Sequence, residues 1–269
     1  MRRRDHEEAC EDHVPYRIRG ADRWLLEQPI AHRGLHDGCT AEDGKMRFGR
    51  VPENSIGAFA RAVKEGIPIE LDLHLTEDEV IYVMHDANLK RMTGNEKEEK
   101  DLLAADLDQF HLAGTAYTIP TLEQVLTLVQ GKVPLLLEIK NKGMAGPLER
   151  TLHRMLQHYT GRIAIESFDP LSIWMMKRLN PSYLTGQLAY RFQHDRLPRP
   201  VKWFLRTCRM NPLTGPDFIA YDINALPQPF LDRERGKGIA LLGWTVRDTL
   251  DQQYAERYCD NYIFEQIRP

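Results

Sequence analysis

The sequence predicts a single (β/α)8 barrel (TIM barrel) with its active site at the carboxyl ends of the strands. Three observations lead to this prediction. Eight short apolar segments of strand length alternate with amphipathic segments of helix length, and no linker of distinct composition divides the chain. The length of 269 residues and the hydrophobic content of 42% suit one such barrel. The alternation favours a parallel barrel over an open doubly wound sheet.

The predicted strands cover the chain from residue 29 onward. They are residues 29–33, 67–73, 80–85, 133–139, 162–167, 183–188, 217–222 and 239–245. Residues 1–20 are polar and lack a clear periodicity, so we predict a polar leader there and the barrel domain over residues 21–269. Two segments, 36–51 and 87–117, interrupt the alternation and are predicted to be excursions from the barrel.

Three helix starts carry capping signals. Thr121 and Gln124 have the spacing of a capping box, in which each residue's side chain bonds the other's main-chain N–H. Asp169 and Pro170 place an N-cap carboxylate before a proline at the first helical position. The segment 52–55 precedes apolar residues spaced as one face of a helix. Each signal predicts a helix that follows or precedes a barrel strand.

Composition argues against several classes of protein. The 36 basic and 39 acidic residues give a net charge of -3, without the basic excess that nucleic-acid binding requires. The four cysteines form no Cys-x-x-Cys pair, which is typical of a reducing compartment. The first residues lack the apolar run of a secretory signal, and no window reaches the roughly 20 apolar residues that cross a bilayer. We therefore expect a cytoplasmic protein with no transmembrane segment.

Polar and charged residues concentrate where the predicted strands end, which is the place for catalytic groups in a barrel. They are His32 and Arg33, Glu70 and Asp72, His85, Glu138 and Lys140, and Trp244. Valine, isoleucine and leucine occupy most of the remaining strand positions. This distribution indicates an enzyme active site.

The three carboxylates suggest a metal site. Glu70 and Asp72 are two residues apart on one strand, so their side chains project from the same face, and Glu138 adds a third oxygen donor. Carboxylates without a nearby thiolate suit one divalent ion such as Mg²⁺, Ca²⁺ or Mn²⁺ better than zinc. The alternative is that one of these acids forms a structural ion pair with Arg33 or Lys140.

The two histidines suggest acid–base catalysis. His32 and His85 end separate strands, and imidazole titrates near neutral pH, so the pair can divide the work of base and acid. A single histidine at a strand end is more often structural. Two histidines beside a carboxylate cluster and an arginine fit a structural role less well.

An ordered series of motifs resembles that of glycerophosphodiester phosphodiesterases from residue 29 onward. The series is Ala31-His-Arg-Gly34, Pro52-Glu-Asn-Ser55, Glu70-Leu-Asp72, His85-Asp86 with Leu89, Arg91 and Thr93-Gly94, Leu137-Glu-Ile-Lys140, Ser167-Phe168 and Trp244-Thr-Val246. The resemblance implies a (β/α)8 fold, a divalent metal and the hydrolysis of small-molecule glycerophosphodiesters to glycerol phosphate and an alcohol.

The resemblance also implies a role for each matching residue. It assigns acid–base catalysis to His32 and His85, metal binding to Glu70, Asp72 and Glu138, phosphate contacts to Arg33 and Lys140, a carboxylate beside the metal to Glu53, and an aromatic wall for the glycerol moiety to Trp244. Two departures stand out. The family's usual Asp-Gly after the second strand is replaced by Asp78-Glu79, and its glycine- and aspartate-rich ending by residues 260–265, which leaves the role of Glu265 open.

We expect a two-step reaction. His32 removes the proton of the glycerol 2-hydroxyl as that oxygen attacks phosphorus, His85 protonates the departing alcohol, and water then opens the cyclic glycerol phosphate. An alternative is a phospholipase of C or D type acting on phospholipids or lysophospholipids with the same site. A non-catalytic phosphate- or metal-binding protein fits less well, because the full set of catalytic residues is present.

The segment 190–210 carries six basic residues, one acidic residue and several aromatic residues. One interpretation is the sixth barrel helix with a basic outer face. The other is a basic and aromatic lip that makes weak contact with a membrane surface, which would suit a lysophospholipid substrate. Nothing in the sequence specifies an oligomeric state.

Overall fold

The structure, a computed structural model, describes residues 16–42, 45–97, 101–141 and 145–269, and between residues 39 and 48 only main chain. The strands are β1 (Ile30–Ala31), β2 (Cys39–Glu42), β3 (Lys45–Phe48), β4 (Ile69–Leu75), β5 (Ile81–Val83), β6 (Leu135–Ile139), β7 (Ile163–Ser167), β8 (Thr185–Ala189), β9 (Phe218–Asp222), β10 (Ala240–Val246) and β11 (Asn261–Phe264). The α-helices are α1 (Trp24–Glu27), α2 (Ile56–Glu65), α3 (Lys90–Thr93), α4 (Leu122–Val129), α5 (Pro147–Leu156), α6 (Pro170–Leu179), α7 (Arg199–Arg206), α8 (Asn211–Thr214), α9 (Pro229–Arg235) and α10 (Thr249–Tyr258). Short 3-10 turns lie at Gly20–Arg23, Ala104–Gln109, Leu112–Gly114 and Ile223–Ala225.

Eight parallel strands close into a barrel, which confirms the predicted fold class. Their order is β1, β4, β6, β7, β8, β9, β10 and β11, and β1 pairs with both β4 and β11. Ala31 is opposite Ile69 on one side and Phe264 on the other, so the two residues of β1 join the ends of the sheet.

One predicted barrel strand is wrong and one was missed. The segment 80–85 contains β5, which runs antiparallel to β4 and lies outside the barrel. Glu79 has a φ of 61°, and the N–H of Thr76 donates to the carbonyl of Val80, so the chain turns back on β4. The eighth barrel strand is instead β11, in the segment whose role was left open.

Each barrel strand separates two apolar layers. On β6, Leu135, Leu137 and Ile139 pack in the layer between barrel and helices, whereas Leu136 packs inside the barrel. Because side chains alternate along a strand, Glu138 also points inward, one step nearer the carboxyl end. The barrel interior is therefore apolar at the amino ends of its strands and carries ionisable groups at the carboxyl ends.

The segment before β1 covers the apolar end of the barrel. Ile18, Trp24 and Leu25 are buried with the interior cluster, and the Tyr16 hydroxyl donates to Asp260 at 2.7 Å. Part of the predicted leader, residues 16–20, thus packs on the barrel, and the rest of it lies outside the described residues.

The predicted helix starts are confirmed. Thr121 accepts from the N–H of Gln124, whose side chain accepts from the N–H of Thr121. Asp169 caps α6 by accepting from the N–H of Leu171, and Ser55 caps α2. These caps satisfy main-chain donors that a helix leaves unpaired at its start.

The two predicted excursions are present. Residues 36–51 contain the antiparallel pair β2 and β3. The described part of residues 87–117 contains α3 and two 3-10 turns, which pack with β5 around a separate apolar cluster. Among the helices of the described residues, none combines the length and the apolar composition needed to cross a bilayer.

Candidate active site

Seven of the nine predicted site residues line one cavity of about 480 Å³ at the carboxyl ends of the barrel strands. They are His32, Arg33, Glu70, His85, Glu138, Lys140 and Trp244. The other two, Glu53 and Asp72, are buried behind the wall and contact Arg33. The structure therefore brings all nine into one site.

A fourth acidic residue, Glu166, joins the three predicted carboxylates. Asp72, Glu138 and Glu166 lie in register on three neighbouring strands, and Glu70 lies one inward position earlier on β4. Glu70, Glu138 and Glu166 each have an oxygen within 4.8 Å of the others, and all three are buried. Glu166 lies inside a predicted strand. Its position beside Glu138 depends on the register of the two strands, which the sequence does not give.

Burial and mutual repulsion disfavour ionisation of these acids. Burial and the charges of Asp72 and Glu138 raise the pKa of Glu70 well above its ordinary value. Burial and the charge of Glu138 likewise raise the pKa of Glu166. Oε1 of Glu70 and Oε2 of Glu166 are buried, and no group in the described part of the chain donates a hydrogen bond to either oxygen. Buried carboxylate oxygens with no donor suit a hard divalent cation, so this donor set fits the ion that the sequence implies.

Asp72 forms the ion pairs that were the structural alternative. Its carboxylate lies 3.2 Å from Nε of Arg33 and 3.0 Å from Nζ of Lys140, and it accepts from the amide of Asn54 at 2.7 Å. Although burial alone would raise the pKa of Asp72, Lys140 and Arg33 lower it well below its ordinary value. Nζ of Lys140 also lies 2.6 Å from Glu138. Asp72 is therefore the acid of this group whose ionised form is favoured most by its neighbours.

Glu53 links two arginines. It accepts from Arg33 at 2.7 Å and from Arg91 at 2.7 Å, and Arg91 also donates to Asp86 at 2.5 Å. Against the effect of burial, these arginines lower the pKa of Glu53 to about 2. Glu53 thus acts on the cavity through Arg33, whose guanidinium it holds in place.

The main chain around Arg33 has an unusual conformation. Arg33 and Asn54 have φ values of 56° and 54°, in the left-handed region that residues other than glycine seldom adopt. The N–H of Arg33 donates to Glu70 at 2.8 Å, and its carbonyl accepts from the N–H of Asn54 at 3.0 Å. A side chain at Gly34 (φ 78°) would lie 2.9 Å from the ring of Phe59. These contacts fix the approach of Arg33 to the carboxylates.

His32 is held by Glu265, for which the sequence suggested no definite role. Nδ1 of His32 lies 2.8 Å from Glu265, and Nε2 lies 4.0 Å from Glu70. The hydrogen bond from His32 and the nearby charge of Arg247 keep the pKa of Glu265 low despite its burial, and Nε2 of His36 lies 3.7 Å from the same carboxylate. Because Glu265 is ionised, Nδ1 of His32 must donate to it, so Nε2 of the neutral ring is the basic nitrogen.

His85, which also lines the cavity, is held in a similar way. Its Nδ1 lies 2.8 Å from Asp86, which Arg91 also contacts. Although burial opposes the shift, His85 and Arg91 lower the pKa of Asp86. Asp86 is therefore an acceptor, and Nε2 of His85 is the ring nitrogen left for the cavity.

Trp244 belongs to a larger aromatic wall than the sequence predicted. Its ring centroid lies 5.7 Å from that of Phe168 and 6.2 Å from that of Tyr190. Phe192 also lines the cavity, 4.1 Å from Tyr190. Tyr190 and Phe192 follow β8. The sequence there continues to alternate between apolar and polar residues, so it does not show where the strand ends.

We expect replacement of His32 to change the pH dependence of stability. Burial and the charge of Arg33 lower the pKa of His32 to about 4. The unfolded chain therefore binds a proton here between pH 6.5 and 4 that the folded chain does not, so stability present above pH 6.5 is lost as pH falls toward 4. The contribution is on the order of 2–3 kcal/mol. In urea unfolding without metal, the free energy of unfolding of His32→Gln should fall less between pH 6.5 and 4 than that of the wild type. His111→Gln, a change at an exposed histidine, should lose as much as the wild type. Equal losses in the wild type and His32→Gln would contradict this assignment.

The chain is similar to proteins of known family. The model of the glycerophosphoryl diester phosphodiesterase family matches residues 32–263. The chain is 34% identical over 229 residues to a glycerophosphodiester phosphodiesterase of Caldanaerobacter subterraneus subsp. tengcongensis, which covers 81% of this chain and 84% of that protein. It is 32% identical over 164 residues to a glycerophosphodiester phosphodiesterase of Bacillus altitudinis, which covers 56% of this chain and 62%, less than two thirds, of that protein. It is also 36% identical over 129 residues to lysophospholipase D GDPD1 of Rattus norvegicus, with 43% of this chain and 37% of that protein covered.

Solved structures share the fold. A phosphodiesterase of Oleispira antarctica in complex with the product sn-glycerol-3-phosphate superposes with a TM-score of 0.71 at 20% identity, over 88% of this chain and 92% of that one. A glycerophosphodiester phosphodiesterase of Thermotoga maritima gives a TM-score of 0.65 at 20% identity, over 88% and 94%. The family match extends over nearly the whole barrel and includes the carboxylates and both histidines of the cavity. This chain belongs to the glycerophosphoryl diester phosphodiesterase family.

Proposed function

We propose that the protein hydrolyses glycerophosphodiesters to glycerol 3-phosphate and an alcohol. The observation that carries this proposal is the arrangement of two histidines, each held through Nδ1 by an ionised carboxylate, around one cavity. The same cavity contains two basic side chains for a phosphate, Arg33 and Lys140. Membership of the family supports the same reaction.

His32 is the proposed base of the first step. Its neutral ring accepts the proton of the glycerol 2-hydroxyl at Nε2 while that oxygen attacks phosphorus. The positive charge that develops on the imidazole is stabilised by Glu265, which accepts from Nδ1 at 2.8 Å. Glu265 is therefore a positioning residue that sets the tautomer and the orientation of the base.

His85 is the proposed acid of the first step. Nε2 gives a proton to the alcohol oxygen as the bond from phosphorus to that oxygen breaks, which leaves a cyclic glycerol phosphate. In the second step the roles reverse. His85 takes a proton from water as the water oxygen attacks phosphorus, and His32 returns its proton to the glycerol 2-oxygen as the bond from phosphorus to that oxygen breaks. Both histidines thus regain their starting states.

We propose that one divalent cation, Mg²⁺, Ca²⁺ or Mn²⁺, is held by Glu70, Asp72 and Glu138, with Glu166 as a fourth carboxylate. Four buried carboxylates beside the two basic side chains Arg33 and Lys140 leave two negative charges, which one divalent cation neutralises. When bound, the cation would supply Lewis-acid stabilisation of the charge on the phosphoryl oxygens.

We infer a cytoplasmic location. Cys208 and Cys259 are both free thiols, although both are largely buried. Burial raises the pKa of each, to about 12 for Cys259. Unpaired cysteines are the rule in reducing compartments.

The first prediction from this proposal concerns turnover. We expect metal-dependent release of glycerol 3-phosphate from glycerophosphocholine, measured by a coupled dehydrogenase with EDTA and then with each metal. His32→Ala and His85→Ala should each lower kcat by roughly 10²–10⁴-fold. His111→Ala, which removes an exposed histidine, should have no effect. Near-normal turnover in either site variant would remove that histidine from the mechanism.

The second prediction concerns metal affinity, measured by titration calorimetry without substrate. Glu70→Gln and Asp72→Asn should weaken binding most, and Glu166→Gln should weaken it by roughly 10-fold or more. Glu123→Gln, an exposed change on α4, is the control. Full affinity in Glu166→Gln would leave the metal site with the three acids predicted from the sequence, and full affinity in Glu70→Gln would place it elsewhere.

A second candidate function, hydrolysis of lysophospholipids, is favoured by the surface of α7. No residue of this helix is buried, and Trp203 and Phe204 are exposed at its surface. Leu213, just beyond it, is 73% exposed. The segment 190–214, which begins at the cavity wall, carries six basic residues, and the guanidinium of Arg209 lies 4.6 Å from the ring centroid of Trp203. An apolar surface with basic neighbours beside the cavity matches the charge of an anionic bilayer.

Vesicle sedimentation tests this candidate. We expect the protein to bind vesicles that contain anionic lipid more than vesicles of neutral lipid, because basic side chains bring the apolar surface to the bilayer. The double change Trp203→Ala and Phe204→Ala should reduce binding several-fold. Trp174→Ala, which removes an exposed tryptophan from α6, should not. Equal binding to both kinds of vesicle would exclude α7 as a surface that recognises anionic lipid. Water-soluble glycerophosphodiesters would then remain as the proposed substrates.

A further inference from the structure

The proposed acid, His85, does not lie on a strand of the barrel. It follows β5, which pairs antiparallel with β4 and stands outside the closed barrel. The proposed metal ligands Glu70 and Asp72, by contrast, lie on β4 itself. The position of the acid relative to the rest of the site therefore depends on how the chain after β5 is attached to β4.

Two hydrogen bonds attach this part of the chain to β4. The last paired residue of β5 is Val83, and the N–H of Met84 then donates to the carbonyl of Asp72 at 3.1 Å. One residue further along, the carbonyl of His85 lies 3.2 Å from Nε2 of His74. Because a carbonyl oxygen only accepts, Nε2 of His74 must carry the proton and donate it. A side chain of β4 thus holds the main chain of the proposed acid.

His74 is buried among apolar neighbours. It is 2% exposed and lies on the same face of β4 as Asp72. Its ring stacks on that of Tyr82, the residue opposite it on β5, with the ring centroids 5.5 Å apart. Tyr82 belongs to the apolar cluster around β5. A buried polar group is destabilising unless it has a hydrogen-bond partner. The hydrogen bond to His85 therefore gives a reason for a polar side chain at this position.

We propose that His74 is a positioning residue for the acid His85. This inference rests on the proposed phosphodiesterase function and adds one residue to its first step. The hydrogen bond between His85 and Asp86 orients the imidazole ring, whereas the hydrogen bond from His74 fixes the main chain that carries the ring. Proton transfer depends on such placement, since a displacement of about 1 Å can lower a rate roughly 100-fold.

The leaving alcohol distinguishes this role from a purely structural one. If His74 only stabilised the fold or the metal site, its loss would slow the hydrolysis of every diester alike. If His74 positions the acid, its loss slows only those diesters whose alcohol must be protonated as it departs. The alkoxide of choline is strongly basic and needs that proton, whereas p-nitrophenolate departs without one.

The test compares glycerophosphocholine with the glycerol phosphate diester of p-nitrophenol, using the full chain with metal supplied. The value of kcat/KM is measured for each diester from release of the alcohol, with choline oxidase or by absorbance. This constant covers only the steps up to departure of the alcohol, so the later step in which His85 acts as a base does not enter. Because both constants come from one preparation, their ratio is independent of the fraction of protein that is folded.

We expect His74→Phe, which keeps a ring against Tyr82 but lacks the donor, to lower kcat/KM for glycerophosphocholine roughly 10–100-fold. For the p-nitrophenyl diester the loss should be less than about 3-fold. His74→Leu, a second change without a donor, should lower the ratio of the two constants in the same way. His74→Gln, whose amide can donate in place of Nε2, should retain most of the wild-type ratio.

Two further variants calibrate the comparison. His85→Ala should lower the ratio at least as far as His74→Phe does, because it removes the acid itself. His153→Phe replaces a histidine of α5 whose ring also packs against a tyrosine, Tyr183, but which does not line the cavity. This variant should leave both constants at their wild-type values.

An unchanged ratio in His74→Phe and His74→Leu would overturn the positioning role. A ratio in His74→Gln as low as that in His74→Phe would also overturn it, because the donor would then not be what matters. An unchanged ratio in His85→Ala would overturn the assignment of the acid and this inference with it. Hydrolysis of neither diester by the metal-supplied wild type would instead overturn the proposed function.

Discussion

The closed barrel brings four carboxylates into one buried cluster, and most of the site follows from how their charge is balanced. Asp72, Glu138 and Glu166 lie side by side on three neighbouring strands, with Glu70 one inward position below. At such distances, and away from water, like charges repel by several kcal/mol, so they cannot all ionise without partners. Two basic side chains offset part of the charge. The remaining negative charge is what the proposed divalent cation would neutralise.

The same balancing of charge orients the catalytic groups. One continuous chain of ion pairs and hydrogen bonds runs through the site, from His85 through Asp86, Arg91, Glu53, Arg33, Asp72 and Lys140 to Glu138. His32 lies outside this chain and is held separately by Glu265. Partly satisfied polar networks are costly, so each member of the chain restricts the next. Replacement of Glu53 would therefore remove an ion-pair partner from both Arg33 and Arg91, although the carboxylate of Glu53 does not line the cavity.

The limits of the sequence prediction have physical causes. Hydrophobic alternation located seven of the eight barrel strands, because strands buried on both sides read as apolar runs. The pattern wrongly placed the segment 80–85 in the barrel, because an apolar run does not reveal whether its partner strand is parallel or antiparallel. It missed β11, which has four residues and follows α10 closely. The structure brings the nine predicted site residues together. Eight of them stand out by their type at the ends of predicted strands, whereas Glu53 was suggested by the family resemblance alone. Glu166 was missed because its position depends on register between β6 and β7, and Glu265 because it follows the missed strand.

On the proposed function, Arg33 and Lys140 would connect metal binding with phosphate binding. Without a divalent cation, Lys140 and Arg33 are the counterions of Asp72, and Lys140 also serves Glu138. If a bound cation neutralised those carboxylates, they would no longer need Lys140 and Arg33 as counterions. The positive charge of the two side chains would then be available for a phosphate. The affinity for each ligand would rise in the presence of the other, because such coupling is reciprocal. On the proposed function, such a site would hold phosphate weakly until its carboxylates are neutralised, which would be a reason for the barrel to place the proposed phosphate-binding residues among acids.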